Sequence, residues 1–510
     1  MSHHPLQSLT LALLIPTLLI LSSLLSLLLL PLSIPYSLGL LRLPRSLTIL
    51  TLPPTTLLYQ TLTLLYSKLG LSSNISSINS VVSAISMLTP SSICSFIDED
   101  IDDCVKKLPM LKTDFVCNLK YFNTGTLGLT PIQTLKSQTS LSLFTQLDPF
   151  TNYYITCLSL STSIQATCAK YLDCAYDEVS FCNSTTKGLN LVWGGLKDGN
   201  YFKEDGRDIV LTSNQEHEGG RSGLNYLEKI GVCKVVVVDI PLDKNITAET
   251  ILKAFCEKFQ ENPKRIKAIL ISHVSCISGV RNPVSELADL AHKNNALLII
   301  DGAQGIGGLF VSVRSLNCDI YTASCQKWSL GPTSSGLLFV RKEVKRGMKV
   351  MEWNCGGSEG EDGVASFGSS FYTHSIGTNN EGIIYGLKRS IDYLSSYGYY
   401  TKNLEKYNLK IRDDFYRYFE KNICESDVVM LSPGVESDLK SPIVTISLGL
   451  KRSNLDCYSY LYEKGFVIKI VADNQCGSGI ENAARFTFHG YNTREEGREL
   501  VDALKEFIEG

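Results

Sequence analysis

The sequence predicts an α/β fold built on a large, mostly parallel sheet. Residues 267–272 and 297–300 are short apolar runs, typical of strands buried on both faces. Between them, Asn282 and Pro283 open the helical pattern SELADLAHKNNA, which we interpret as a capped crossover helix. Strand, helix and strand in this order form a β-α-β unit, and such units connect parallel strands. The segment 232–240, VCKVVVVDI, predicts a further buried strand.

Two side chains near the end of this unit suggest a cofactor. Asp301 follows the second strand directly, at the sheet edge where open α/β folds bind ligands. Lys327 follows in SCQKWSLGP. Alone, Asp301 fits an ordinary Asp-Gly turn and Lys327 a surface lysine. Together they match the needs of pyridoxal 5'-phosphate (PLP): an amine to hold the aldehyde, and an anion to keep the pyridine nitrogen protonated.

Motifs from residue 121 to the C-terminus place this pair in a known family. In order, they are YFNTGTLGLTP, FCNSTTKGLNLVWGGL, SNQEHEGG, SHVSCISGVRNP, DGAQG, SCQKWSLGP, IGTNNEG and ARFTFHGYNT. The ordered set resembles the class V aminotransferase family of fold-type I PLP enzymes, especially its cysteine-desulfurase-like and isopenicillin-N-epimerase-like branches. The resemblance implies a fold-type I PLP-transferase, with a large mostly parallel sheet domain and a smaller C-terminal α+β domain.

The resemblance implies roles around the cofactor ring. Lys327 would hold PLP as an internal aldimine and, once released by the substrate, would move protons. Asp301 would pair with the pyridinium nitrogen. Gln304 would reach the ring hydroxyl or the aldimine side. His217 in QEHEGG would stack on the ring and take part in catalysis.

A phosphate site is predicted before the helical segment KGLNLVWGGL. Ser184, Thr185 and Thr186 would offer hydroxyls and free N–H groups at the positive end of this helix. An ordinary Ser/Thr N-cap uses the same geometry, so the two interpretations are compatible. The resemblance adds Ser324 and Gln326 as further phosphate contacts.

The resemblance also implies a partner subunit and a substrate class. Thr378 in IGTNNEG matches a residue that in relatives reaches the cofactor of the neighbouring subunit, which implies a homodimer. Arg485 stands six residues before Tyr491 and would bind the carboxylate of a small amino acid. Asn123 and Cys276 are expected to line the substrate site.

The motifs leave open which reaction of the desulfurase-like and epimerase-like branches this protein catalyses. Cys476 is a candidate nucleophile, although it lies closer to Arg485 than the desulfurase cysteine usually does. Cys276 replaces the asparagine of desulfurases, and Gln326 replaces their histidine before the lysine. We expect chemistry at the α or β carbon of an amino acid, with carbon-sulfur lyase or desulfurase-like cleavage favoured. An epimerase or transaminase is the alternative, and a membrane-tethered, non-catalytic protein of the same fold is the second.

The first 97 residues form an apolar leader without any acidic residue. Its uncharged segment 9–30 is long enough to cross a membrane at about 1.5 Å per residue. Arg42 and Arg45 follow it, which favours a membrane anchor with the enzyme on the cytoplasmic side. An organelle-targeting leader, or a cytosolic protein with a low-complexity extension, is the alternative. Residues 98–110 are interpreted as an acidic linker, residues 111–393 as the PLP-binding large domain and residues 394–510 as the small C-terminal domain.

Composition excludes several other classes of protein. A formal net charge of -3 gives no electrostatic case for nucleic-acid binding. The 16 cysteines are scattered without paired or metal-ligand spacing, so neither a disulfide framework nor a metal site is expected. The strand patterns SPIVTISLGL, GFVIKIV and AARFTF and a closing amphipathic helix, REEGRELVDALKEFI, complete the predicted small domain.

Overall fold

A computed structural model describes residues 107–202, 205–349, 378–471, 480 and 482–510. The leader 1–97, the first part of the linker and Cys476 lie outside these residues. In the described part of the chain, no helix combines the length and apolar character needed to cross a membrane. The segment 9–30 is not included in that finding.

The structure alternates strands and helices through its first two thirds and ends in a mixed C-terminal part. The strands are β1 Lys120–Tyr121, β2 Val179–Cys182, β3 Ile209–Ser213, β4 Lys234–Val238, β5 Ile266–Ser272, β6 Leu297–Asp301, β7 Ile320–Ser324, β8 Gly336–Val340, β9 Val429–Met430, β10 Ile443–Ser447, β11 Phe466–Val467, β12 Lys469–Val471 and β13 Ala483–Thr487. The helices are α1 Ile132–Leu147, α2 Thr151–Leu172, α3 Thr185–Asp198, α4 Glu218–Lys229, α5 Ala248–Glu261, α6 Val284–Lys293, α7 Val313–Leu316, α8 Lys342–Lys345, α9 Glu381–Ser396, α10 Asn403–Asn422, α11 Asn454–Glu463 and α12 Arg494–Glu509.

The central sheet has seven strands in the order β2-β8-β7-β6-β5-β3-β4. Strands β4, β3, β5, β6 and β7 are parallel to one another, whereas β8 runs antiparallel to both β7 and β2. Every residue of β5 is buried, as is nearly every residue of β6, because helices cover both faces of the sheet. The predicted α/β fold with a large, mostly parallel sheet is confirmed.

Two local predictions need correction. Strand β4 exists, but it is the edge strand and its first four residues are exposed or half-buried, so it is not a buried strand. Its run of valines resembles the pattern of a central strand, because β3 still pairs with one side of β4. Helix α6 begins after Pro283 without a side-chain cap. Asn282 instead donates from Nδ2 to the carbonyl oxygen of Ser272 at 2.7 Å, and this bond fixes the end of β5.

The C-terminal part contains a four-stranded antiparallel sheet in the order β12-β13-β10-β9. Helices α10 and α12 pack with this sheet around a separate apolar core that includes Phe415, Phe486 and Leu504. The predicted closing amphipathic helix is present as α12, and a capping box of Thr493 and Glu496 starts it. The predicted boundary at residue 393 falls inside α9.

Residues 122–131 follow β1 and are called the opening segment below. They contact both the region of the central sheet and the C-terminal sheet. The amide of Gly128 donates to the carbonyl oxygen of Gln326 at 2.8 Å, while the amide of Thr487 on β13 donates to the carbonyl oxygen of Phe122 at 2.9 Å. A Cβ atom at Gly128 would overlap the carbonyl oxygen of Lys327. Glycine is therefore required at that close approach, and the opening segment lies directly against the residue expected to hold the cofactor.

Candidate active site

One cavity at the carboxyl edge of the parallel strands collects most of the predicted site. Strand β6 ends at Asp301, β7 ends at Ser324, and Lys327 follows three residues later. The predicted residues that line this cavity are Thr185, Thr186, His217, Cys276, Asp301, Gln304, Ser324 and Lys327. Ser272 at the end of β5 also lines it. We did not predict Ser272, although its position at the end of a neighbouring strand is the same signal that identified Asp301.

Asp301 is a buried carboxylate, only 5% exposed, with one oxygen fixed. Its Oδ1 accepts a hydrogen bond from the amide of Ala303 at 2.9 Å. Burial raises the pKa of Asp301, while the bond from Ala303 and the positive charge of Lys327 act in the opposite direction. Within the described residues it forms no salt bridge. A protonated pyridine nitrogen is the kind of cation that would stabilise such a group.

Lys327 is half-buried in the same cavity. Burial lowers the pKa of Lys327, the negative charge of Asp301 opposes that shift, and the nearby charge of Arg485 adds to it. A lysine with a lowered pKa spends more time as the neutral amine, which is the form that condenses with an aldehyde.

His217 caps the N-terminus of α4 at the wall of the cavity. Its Nδ1 accepts from the amide of Gly219 at 3.0 Å, so the neutral ring carries its proton on Nε2. The residue as a whole is exposed, but it lines the cavity, and loss of solvent there lowers the pKa of His217, with the charge of Lys327 lowering it further. A neutral imidazole can lie flat against an aromatic ring, as the resemblance implies.

The N-termini of α3 and α4 meet at this cavity. Ser184 caps α3 by accepting from the amide of Lys187 at 3.2 Å. The amide and hydroxyl of Thr185 both lie 2.9 Å from the hydroxyl of Ser324. Thr186 is close to Gly219, since a Cβ there would come within 2.6 Å of the threonine hydroxyl. Two positive helix ends with hydroxyls around them suit a phosphate group.

Gln304 is tied to the protein at both ends of its amide. Its Nε2 donates to the carbonyl oxygen of Gly125 at 2.8 Å, and its Oε1 accepts from Nε1 of Trp328 at 2.7 Å. Gln304 therefore links the opening segment to the residue that follows Lys327. Sequence reasoning missed this bridging contact, because it joins residues 179 positions apart.

Five predicted residues of the described chain are not among those that line the cavity: Asn123, Ser184, Gln326, Thr378 and Arg485. Gln326 uses its Oε1 to accept from the amide of Ser335 at 3.2 Å. Thr378 is exposed and lies two residues before Asn380, which caps α9. Its predicted contact is with a partner subunit and stays a prediction. Cys476 lies outside the described residues.

Arg485 is buried on β13, with 5% of the residue exposed. Its Nη1 donates to the carbonyl oxygen of Cys276 at 2.8 Å and its Nη2 to the hydroxyl of Thr126 at 3.1 Å, while Nε has no partner. Thr126 in turn donates to Oδ1 of Asn123 at 2.7 Å, so Asn123 supports Arg485 through Thr126. Burial lowers the pKa of Arg485, and no carboxylate of the described residues pairs with it.

The donor set fits PLP. The cavity offers an amine for the aldehyde, a buried carboxylate for the ring nitrogen, an imidazole for the ring face, and the hydroxyls of Thr185, Thr186 and Ser324 for the phosphate. The buried guanidinium of Arg485 complements this set with a group suited to a carboxylate.

Comparison with known proteins agrees with this chemistry. A family model described as aminotransferase class-V matches residues 158–500. The cysteine desulfurases of Escherichia coli O9:H4 (strain HS) and Escherichia coli (strain K12 / DH10B) are each 27% identical over 344 residues, which is 64% of this chain and 77% of theirs.

Solved structures share the fold. The apo structure of a cysteine desulfurase from Thermococcus onnurineus NA1 superposes with a TM-score of 0.69 at 21% identity, over 80% of this chain and 100% of that one. The complex between the cystine C-S lyase C-DES and its reaction product cysteine persulfide superposes with a TM-score of 0.66 at 17% identity, over 76% and 98%. The chain belongs to the class V aminotransferase family and is a PLP-dependent enzyme.

Proposed function

We propose that this enzyme cleaves a carbon-sulfur bond of an α-amino acid by lyase or desulfurase-like chemistry. The observation that carries the amino-acid substrate is the buried guanidinium of Arg485, which has an unpartnered Nε and no carboxylate pairing among the described residues. A buried charge without a counter-ion is costly, and a substrate carboxylate would supply one. A planar guanidinium can donate two parallel hydrogen bonds to the two oxygens of a carboxylate.

The arrangement assigns separate tasks to the protein groups. Bound PLP supplies an aromatic ring that accepts electrons from the bond being broken. Asp301 would keep the proton on the ring nitrogen, and His217 would cover the ring face. Lys327, favoured in its neutral form by burial, removes and returns protons at the substrate carbons. Arg485 fixes the carboxylate, so that the reacting bonds keep one orientation over the ring.

Carbon-sulfur cleavage is supported by the relatives. The 27% identical curated proteins are cysteine desulfurases, and one structural neighbour is a cystine C-S lyase. Cys276 and Gln326 differ from the residues that desulfurases carry at these positions. The experiment therefore has to distinguish a lyase reaction from desulfuration.

The test is a product analysis with the full chain loaded with PLP. L-cysteine and L-cystine are supplied separately, and sulfide, persulfide, alanine and pyruvate are measured. Alanine with transferable sulfur identifies a desulfurase, whereas pyruvate with released sulfur identifies a lyase. Racemised substrate or amino-group transfer to a keto acid, without any sulfur product, would instead assign an epimerase or a transaminase.

The nucleophile is tested by Cys476→Ser, with the exposed Cys424 providing the matched control Cys424→Ser. If Cys476 accepts sulfur, alanine formation is lost in the first variant and kept in the second. Equal sulfur release by both variants would exclude a persulfide on Cys476 and leave the lyase reaction.

We also propose a homodimer. Leu143, Leu147 and Phe150 expose large apolar side chains along the end of α1 and the turn that follows. A second copy of the chain would cover them. Light scattering after size-exclusion chromatography should give twice the chain mass of 56.3 kDa, and a monomeric mass would contradict the proposal.

For localisation we propose that residues 9–30 anchor the enzyme to a membrane with the catalytic part facing the cytoplasm. The support is the uncharged run and the two arginines that follow it. Carbonate extraction of membranes should leave the full chain in the pellet. Release into the supernatant would favour the targeting-leader or cytosolic alternatives.

A further inference from the structure

Glu216 is a buried carboxyl next to the active site that the mechanism above does not use. It immediately precedes His217 and is 1% exposed. Both of its oxygens are hydrogen-bonded: Oε1 accepts from the hydroxyl of Ser213 and Oε2 from the hydroxyl of Ser272, each at 2.6 Å. In the described structure it forms no salt bridge.

The two serines are the last residues of neighbouring strands. Ser213 ends β3 and Ser272 ends β5, and Ser272 is the register partner of Asp301 on β6. Ser272 also lines the cofactor cavity. Glu216 therefore spans two strand ends, and one of its contacts stands in the cavity wall beside the carboxylate expected at the ring nitrogen.

The backbone next to Glu216 is held by hydrogen bonds of the preceding residue, Gln215. The amide of Gln215 donates to the hydroxyl of Ser213 at 3.2 Å, and Nε2 of Gln215 donates to the carbonyl oxygen of Ile240 at 3.0 Å. The next residue, His217, starts α4. Because Glu216 bonds to Ser272 and directly precedes His217, loss of its contacts is expected to shift both the serine in the cavity wall and the histidine that caps α4.

The electrostatic setting agrees with a close relation to Asp301. Burial raises the pKa of Glu216 to about 7, the two serine hydroxyls oppose this, and the negative charge of Asp301 adds to the rise. Because Glu216 has no counter-ion in the described structure, the hydroxyls of Ser213 and Ser272 are the groups that satisfy its buried oxygens.

We propose that Glu216 is a positioning residue for PLP: by clamping Ser272 and Ser213, it holds the cavity wall beside Asp301 and the start of α4 with His217 against the cofactor ring. This inference rests on the PLP cofactor of the family and does not depend on which substrate bond is broken.

The test measures cofactor binding and orientation in the full chain. Glu216→Ala is expected to weaken PLP binding roughly tenfold, because two buried hydroxyls lose their acceptor. It should also change the visible circular dichroism of bound PLP, which reports the ring's asymmetric surroundings. Glu216→Gln keeps the shape of the side chain and one acceptor oxygen. It should therefore keep most of the parent's PLP affinity and visible dichroism.

Two further variants separate positioning from general stability. Ser272→Ala should reproduce the dichroism change of Glu216→Ala, since Ser272 is the contact in the cavity wall. Glu405, a carboxyl that binds the amide of Phe310 and the side chain of Arg281, provides the control Glu405→Ala. That variant should lower the melting temperature without changing PLP affinity or dichroism.

The proposal is overturned if Glu216→Ala binds PLP with unchanged affinity and unchanged visible dichroism. Should that variant not fold, the same result for Ser272→Ala overturns it. Absence of carbon-sulfur products from the parent enzyme would refute the proposed reaction and leave these binding measurements valid.

Discussion

The parallel sheet edge and the antiparallel C-terminal sheet contribute to the active site in different ways. The sheet edge supplies many groups from consecutive strand ends and helix starts, and several of them are held by hydrogen bonds to neighbouring residues. The C-terminal sheet supplies one buried cation, Arg485, whose hydrogen bonds within the described residues reach a carbonyl oxygen and a hydroxyl. In the function proposed above, cofactor binding would be distributed over this sheet edge, while recognition of the substrate carboxylate would depend on a single guanidinium.

The largest expected effect comes from removing the amine of the sheet edge. Lys327→Ala should lower turnover by about 10⁴-fold, because both the covalent attachment and the proton transfer are lost. Steady-state kinetics measures the loss, and Lys229→Ala, at an exposed lysine in the last turn of α4, is the control. Turnover within tenfold of the parent would show that Lys327 is not the reacting lysine.

Asp301→Asn should have the next largest effect, since it keeps the shape and removes the charge. We expect turnover to fall roughly 10²- to 10³-fold, because the ring nitrogen loses its fixed anionic partner. PLP affinity should fall as well. Both are measured on the same preparation, and unchanged turnover would contradict the pairing of Asp301 with the ring.

Arg485→Ala tests whether the C-terminal sheet contributes to substrate binding without contributing to cofactor binding. KM for the amino acid should rise about 100-fold, which corresponds to about 3 kcal/mol of lost charge-assisted hydrogen bonding. PLP affinity should stay within a factor of about two, because the cofactor groups lie on the other sheet. Lys469→Ala, at the register partner of Arg485 on β12, provides the matched cation control. A parallel loss of PLP affinity would show that the two regions are not independent.

The smallest effect is on stability and depends on pH. The pKa of Glu216 is about 7 in the folded protein against an ordinary 4.5. Between these values the folded state binds more protons than the unfolded state, so this group makes folding less favourable as pH rises. Glu216→Gln removes the titration, and its stability relative to the parent should improve from pH 5 to pH 8 by on the order of 2–3 kcal/mol. Denaturant unfolding of the apo protein measures this, with the exposed Glu436→Gln as control. A difference that does not change with pH would contradict the raised pKa.

The sequence predicted the parts of the site that follow from local pattern. Asp301 and Lys327 could be found because a buried β-α-β unit ends at the sheet edge, and Ser184 to Thr186 because hydroxyl residues precede a helical segment. The family resemblance placed His217 and Arg485, and the family itself is confirmed.

The remaining contacts join residues far apart in the chain, which no local pattern can specify. Gln304 bonds to Gly125 and Trp328, and Glu216 bonds to Ser272, 56 positions away. The exposure of β4 was missed for a related reason: whether a valine-rich strand is central or at the edge depends on the strand order, which is set by the whole sheet.

The most direct test of the central claim is borohydride reduction of the full chain with PLP, followed by peptide mapping. We predict a visible absorption band that reduction removes, and a reduced pyridoxyl group on the peptide that contains Lys327. A label on another lysine, or no stable label at all, would contradict the assignment of Lys327 and Asp301 to one cofactor site.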